Sequence, residues 1–152
     1  MELEDALRGS TPAQRKGLTP LFPVIIAIPT LLGVAHHVDH IVRGNHVGWP
    51  ITPEVTPFTY SLVIYPVIAV GLYLTATNRA GKRFWTRFFA FRTARLAYVH
   101  VSPWAVEPRA DVIVPYADPV VGYVAFGILL GLIDAVGFGT VYMAGRWLRD
   151  DI

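Results

Sequence analysis

Phe84-Trp85-Thr86-Arg87-Phe88-Phe89-Ala90-Phe91-Arg92-Thr93-Ala94-Arg95-Leu96-Ala97-Tyr98-Val99-His100-Val101-Ser102-Pro103 is the stretch on which the topology turns. As a helix it is long enough to cross a hydrocarbon layer of ~30 Å. Trp85, Phe88, Phe89, Phe91, Leu96, Tyr98 and Val99 suit such a layer. Arg87, Arg92 and Arg95 do not, because an arginine at mid-span costs roughly 2.5–3.5 kcal/mol on insertion scales unless it finds partners or water. At about 100° per residue, Arg92 and Arg95 fall among the aromatics and not beside Arg83 and Arg87, so the stretch is no clean amphipathic surface helix.

The neighbouring apolar blocks are easier to read. Leu21 to Ile41 is a span that ends polar, and Pro23 and Pro29 within it are tolerable where neighbours satisfy the freed carbonyls. Phe58 to Thr77 opens with Thr56 as N-cap and Pro57 at the first helical position, and Pro119 to Gly145 opens the same way with Asp118 and Pro119. Loop charge then arbitrates the doubtful block. With spans at 21–41, 58–77, 84–103 and 119–145 and the N-terminus inside, the inner face holds Arg8, Arg15, Lys16, Arg79, Lys82, Arg83, Arg87, Arg146 and Arg149. The outer face holds Arg43 and Arg109. That asymmetry obeys the positive-inside rule. The sequence therefore predicts an all-α, polytopic transmembrane helix bundle of four spans over residues 21–149, preceded by a polar arm at 1–20. It would sit in the cell membrane with both termini cytoplasmic. Three spans with 84–103 lying on the inner surface is the alternative.

Composition agrees. Of 152 residues, 53% are hydrophobic and 16% charged, with net charge +2 and mean hydropathy +0.45. Soluble domains carry about 25% charged residues. A nucleic-acid module, a disordered tail and a disulfide scaffold are excluded, and the absence of cysteine removes thiolate zinc sites, iron–sulfur clusters and thiol catalysis. The first residues, Met1-Glu2-Leu3-Glu4-Asp5, do not open a secretory signal peptide.

The chemistry concentrates in His36-His37-Val38-Asp39-His40 at the end of the first span. On a helix these side chains share a sector about 160° wide. Imidazoles and a carboxylate are the donors that iron and zinc take, so His36, Asp39, His40 and, from the third span, His100 are candidate metal ligands. Haem b is the other cofactor such a bundle can hold, and His37 and His100 are candidate axial residues for it. The outer loops add His46 and Glu54, then Glu107, Asp111 and Asp118; Glu54 and Glu107 are candidate catalytic residues that move protons. The competing reading is structural, with Asp39 pairing Arg43 at i,i+4. The function expected is metal- or haem-dependent chemistry on a lipid-soluble substrate, with proton-linked binding or transport, or a structural subunit of a membrane complex, as alternatives.

Two features concern packing. Gly127, Gly131, Ala135 and Gly139 form a small-residue stripe that lets a helix of this chain or another subunit approach. Asp134 lies at mid-span, where pairing with Arg92 or Arg95 would relieve both intramembrane charges. The loop from Arg43 to Pro57, rich in turn formers and anchored by Trp49, is read as interfacial.

Overall fold

A computed structural model describes residues 20–44 and 57–150. It is helical, with no strand among the described residues. In chain order the helices are α1 (Phe22–Arg43), α2 (Pro57–Ser61), α3 (Ile64–Ala76), α4 (Lys82–His100), α5 (Arg109–Ile113) and α6 (Pro119–Asp150). Three helical stretches are long and apolar enough to cross a membrane: Phe22–Arg43, Phe58–Ala76 and Pro119–Arg149. The alternative with three spans fits this count, since α4 does not qualify by composition.

Local chemistry explains the boundaries. Helix α1 has proline in its first turn, where a missing N–H is harmless, and runs uninterrupted through Pro29 to Gly44. Gly44 closes it in the left-handed conformation, at φ 61°, that glycine adopts without strain. The expected N-cap Thr56 and the residues of the 45–56 loop, His46, Trp49 and Glu54 among them, lie outside the described residues. Asp118 does cap the last helix, accepting the Val120 N–H at 2.9 Å. That helix runs 32 residues to Asp150, ~48 Å, five residues past the expected end at Gly145. Arg83 of α4 lies over the Trp147 ring in this added turn.

The second expected span is met as Phe58–Ala76 but carries an irregular turn. Leu62 and Val63 bond back to Thr59 and Tyr60, three residues earlier, so a tighter turn separates α2 from α3. Ser61 and Tyr65 on either side of it both bond His37.

Contacts between helices fix their directions. Along α6, Thr93 meets Thr140 at 3.1 Å and Arg83 meets Trp147, so α4 runs antiparallel to α6. Ile25 lies against Gly139 and Leu32 against Gly131, so α1 is antiparallel to α6 as well. Helices α1 and α4 are therefore parallel: Phe22 packs on Trp85 at one end, with ring centroids 5.2 Å apart, and His36 on His100 at the other, at 5.0 Å. Helix α3 returns between these levels, with Tyr65 at His37 and Thr75 bonded to the Trp85 indole. The core at the Phe22 end holds Phe22, Ile25, Trp85, Phe89, Val136 and Met143. Gly139 lets them close, since a Cβ there would stand 3.2–3.3 Å from Ile25 and Phe89. Leu31, Ile41, Tyr73, Phe91, Val120 and Val141 cover the outside and are exposed, the outward apolar surface expected of a chain solvated by lipid.

Asp134 pairs with neither arginine. It is exposed and makes no ion pair among the described residues. Within the stripe, Gly131 and Gly139 face α1 of this same chain, whereas Gly127 faces open space.

Candidate metal centre and cavity

The parallel course of α1 and α4 brings the histidines together. His36 and His40, one turn apart on α1, point their Nε2 atoms at each other across 3.2 Å. His100, the last residue of α4, packs its ring edge to face on His36. All three side chains are buried.

Glu107 reaches them through a reversal of the chain. After α4 the backbone doubles back, Val101 and Ser102 bonding Ala97 and the Glu107 N–H bonding the Val99 carbonyl at 3.0 Å. Glu107 thereby lies back over the end of α4, 2% exposed. Its Oε2 stands 3.4 Å from His40 Nε2 and 3.0 Å from His100 Nδ1. Its Oε1 accepts from Arg43 Nη2 at 2.8 Å. Burial alone would raise the Glu107 carboxyl, but the close His100 and His40 imidazoles and the Arg43 guanidinium outweigh it and hold the group at about 2. The carboxylate is ionised throughout the neutral and mildly acidic range.

Arg43 fastens this carboxylate. Its side chain is fully buried, donating to Asp39 Oδ2, to Glu107 and to the Asp111 carbonyl at 2.8 Å each. The last acceptor belongs to α5, which leans on α6 so closely that a Cβ on Gly122 would stand 2.5 Å from the Ile113 carbonyl. Gly122 thus sets the seat of α5, and through Asp111 and Arg43 the position of Glu107.

One ligand atom from each of His36, His40 and Glu107 lies within 4.8 Å of the others. With bonds of 2.0–2.1 Å, the donors of a transition ion stand ~3.0–3.4 Å apart, depending on coordination number. The His36–His40 and His40–Glu107 separations of 3.2 and 3.4 Å match, and the third pair, His36 and Glu107, lies within 4.8 Å. His36 Nδ1 is buried without a hydrogen-bond partner, so that imidazole is incompletely satisfied by the protein alone.

The other candidates have different neighbours. Asp39 gives Oδ2 to Arg43 and accepts the Tyr116 hydroxyl on Oδ1, so both oxygens are engaged. Burial, together with that bond to Asp39 and its charge, raises the Tyr116 phenol to about 12. His37 uses both ring nitrogens, bonding Tyr65 and Ser61 at 2.7 Å each. Beneath the cluster lies a cavity of about 270 Å³, reached by His36, His40, His100 and Glu107 at one end and by Arg92 and Arg95 from α4. Phe58, Leu96, Val99, Val106 and Leu132 supply its apolar wall. Sequence reasoning missed this arginine-lined wall, although Arg92, Arg95, Val99 and His100 recur at the helical spacing that marks a single face.

No known protein family, curated protein or solved structure matches the chain.

Proposed function

We propose that this chain is a multi-pass protein of the cell membrane whose His36, His40 and Glu107 bind an iron or zinc ion at the head of the cavity, for chemistry on a lipid-soluble substrate. The observation that carries the reading is the convergence of two imidazoles and one carboxylate, all buried, with their donor atoms within 4.8 Å of one another. Two histidines and one carboxylate form the donor set of non-haem iron(II) sites and of several catalytic zinc sites, which keep further positions open for water or substrate. Such an ion supplies a Lewis-acid centre at the end of an apolar pocket. Arg43 orients the ligand carboxylate, and His100 stands ready beside it as a fourth donor or a proton carrier. Haem is the weaker reading of the cofactor. The His36 and His100 rings touch, with centroids 5.0 Å apart, and both nitrogens of His37 are already bonded.

The same reading includes four spans with both termini cytoplasmic. Helix α4 runs beside α1 from the Phe22–Trp85 level to the His36–His100 level, which supports a fourth crossing. Its Arg92 and Arg95 line the cavity, and a polar cavity lowers the cost of two of the charges that weigh against a span.

The test is elemental analysis and a visible spectrum of protein purified in detergent. About one iron or zinc per chain is expected, with no Soret band, and His36→Ala or His40→Ala lowers occupancy at least ~tenfold, because each removes a ligand whole. A metal-free protein after incubation with both ions overturns the reading. The contact series His36–His40–Glu107–His100, at 3.2, 3.4 and 3.0 Å, would then favour proton-linked binding or transport.

A further inference from the structure

Arg92 is an unusual residue for its position. It is 9% exposed, in the half of α4 that packs against α1 and α6, and among the described residues no carboxylate pairs with it. Arg95, one turn on, lies over the Tyr60 ring at 5.4 Å and likewise has no carboxylate partner. Asp134 lies elsewhere on the surface of α6. Two guanidiniums of like charge thus share one wall of a cavity that has imidazoles and Glu107 at its other end and apolar side chains between. Burying a cation such as Arg92 without a counter-charge costs several kcal/mol, and the half-buried Arg95 beside it adds like-charge repulsion. An arginine fork is shaped for the paired oxygens of a carboxylate or phosphate, which would supply the missing charge and bonds together.

We infer that the cavity takes an organic oxyanion, a carboxylate or phosphate carried on an apolar body, with its charged end on Arg92 and Arg95. This names the substrate class of the metal centre proposed above and rests on that reading for its chemical role. The geometry sets the shape of the molecule. His100 stands eight residues beyond Arg92 and five beyond Arg95, ~12 and ~8 Å along the helix. An anion held by the arginines would therefore extend its body past Leu96 and Val99 toward His36, His40 and Glu107. An engineered apolar cavity of about 150 Å³ holds benzene, and this one, at about 270 Å³, is larger. A molecule with a single alkyl chain suits that space.

The experiment measures binding of decanoate, decyl phosphate and the neutral decanol to zinc-loaded protein in an uncharged detergent, by titration calorimetry. At least one of the two anions is expected to bind about tenfold or more tightly than decanol, the value of a charge-assisted pair of bonds. Whichever anion binds better identifies the headgroup. The Arg92→Gln/Arg95→Gln protein should lose that preference while still taking up zinc. The His36→Ala/His40→Ala protein should lose zinc and keep the preference. Equal binding of both anions and decanol by the unaltered protein overturns the inference whatever the variants do, and marks the arginines as water-solvated. Retained preference in the arginine variant overturns it also. Displacement of decyl phosphate by an equal concentration of inorganic phosphate overturns the apolar body. Failure to bind zinc with the anion preference intact overturns the metal reading and leaves the oxyanion site standing.

Discussion

Helices α1, α4 and α6 behave differently at their two levels. At the Phe22 end, Phe22, Ile25, Trp85, Phe89 and Met143 close into a dry core around Gly139. At the His100 end α1 and α4 carry imidazoles and guanidiniums, joined by Glu107 from the chain reversal, around a cavity of about 270 Å³. The helix directions do not change between the levels, so the difference lies in the side chains. An apolar level can gain stability by filling every gap, whereas a polar level must satisfy donors and acceptors and cannot close over them. One end is built for cohesion, and the other is kept open at its expense.

That division can be broken from either side. The largest effect is expected at the closed end. Trp85 is fully buried and its indole N–H bonds Thr75 Oγ1 at 2.8 Å, so Trp85→Ala should lower unfolding stability by about 3–5 kcal/mol. Thermal unfolding in detergent measures this, while metal content per folded chain stays unchanged. A parallel loss of metal would show that the two levels are not separable. Next comes Arg43→Gln, which leaves His36, His40 and Glu107 in place but frees the carboxylate that Arg43 orients. Metal affinity should fall ~10–100-fold, the usual cost of losing a group that positions a ligand. Competition with a chelating dye reads it, and unchanged affinity would reduce Arg43 to a structural tie. The smallest loss of metal affinity is expected from Gly122→Ala. Its methyl meets the Ile113 backbone, which cannot yield as a side chain can, so the stability cost should be about 2–3 kcal/mol, the upper part of the usual range for overpacking. A modest drop in metal affinity should accompany it, because α5 holds Arg43 through the Asp111 carbonyl.

Much of this was legible in the chain itself. The apolar blocks, with the Asp118 cap for the last, locate the three span-length helices to within about five residues, because lipid-facing surface and N-capping are local properties. The histidine string shows where sequence reasoning reaches its limit. His36 and His40 sit at the centre of the shared sector, about 40° apart, and these two converge. His37 and Asp39 lie at its edges, so they face Ser61 and Tyr65 on one side and Arg43 and Tyr116 on the other. A sector of about 160° is too wide for one object. Glu107 could be listed as a proton carrier but not as a ligand, since its place depends on the loop turning back to Val99. The pairing of Asp134 with Arg92 or Arg95 failed for a related reason. Thr93 and Thr140 meet across α4 and α6, which puts Asp134 near the depth of those arginines, but on an exposed face. Depth follows from counting residues; facing requires the rotation of each helix about its axis.

The parallel course of α1 and α4 has an electrostatic consequence. Helix α1 ends at Arg43 and α4 at His100, so both terminate in the layer that holds His40, His100 and Glu107. A helix carries about half a negative elementary charge at its carboxyl end from aligned peptide dipoles. Two such ends direct partial negative charge at one buried layer. The amino ends of α3, at Tyr65 beside His37, and of α6, which runs antiparallel to both, lie at the same end of the bundle and oppose it. The backbone field on the imidazoles is thus a balance of opposed helix ends, and attraction for a cation there falls to the side chains, the Glu107 carboxylate above all.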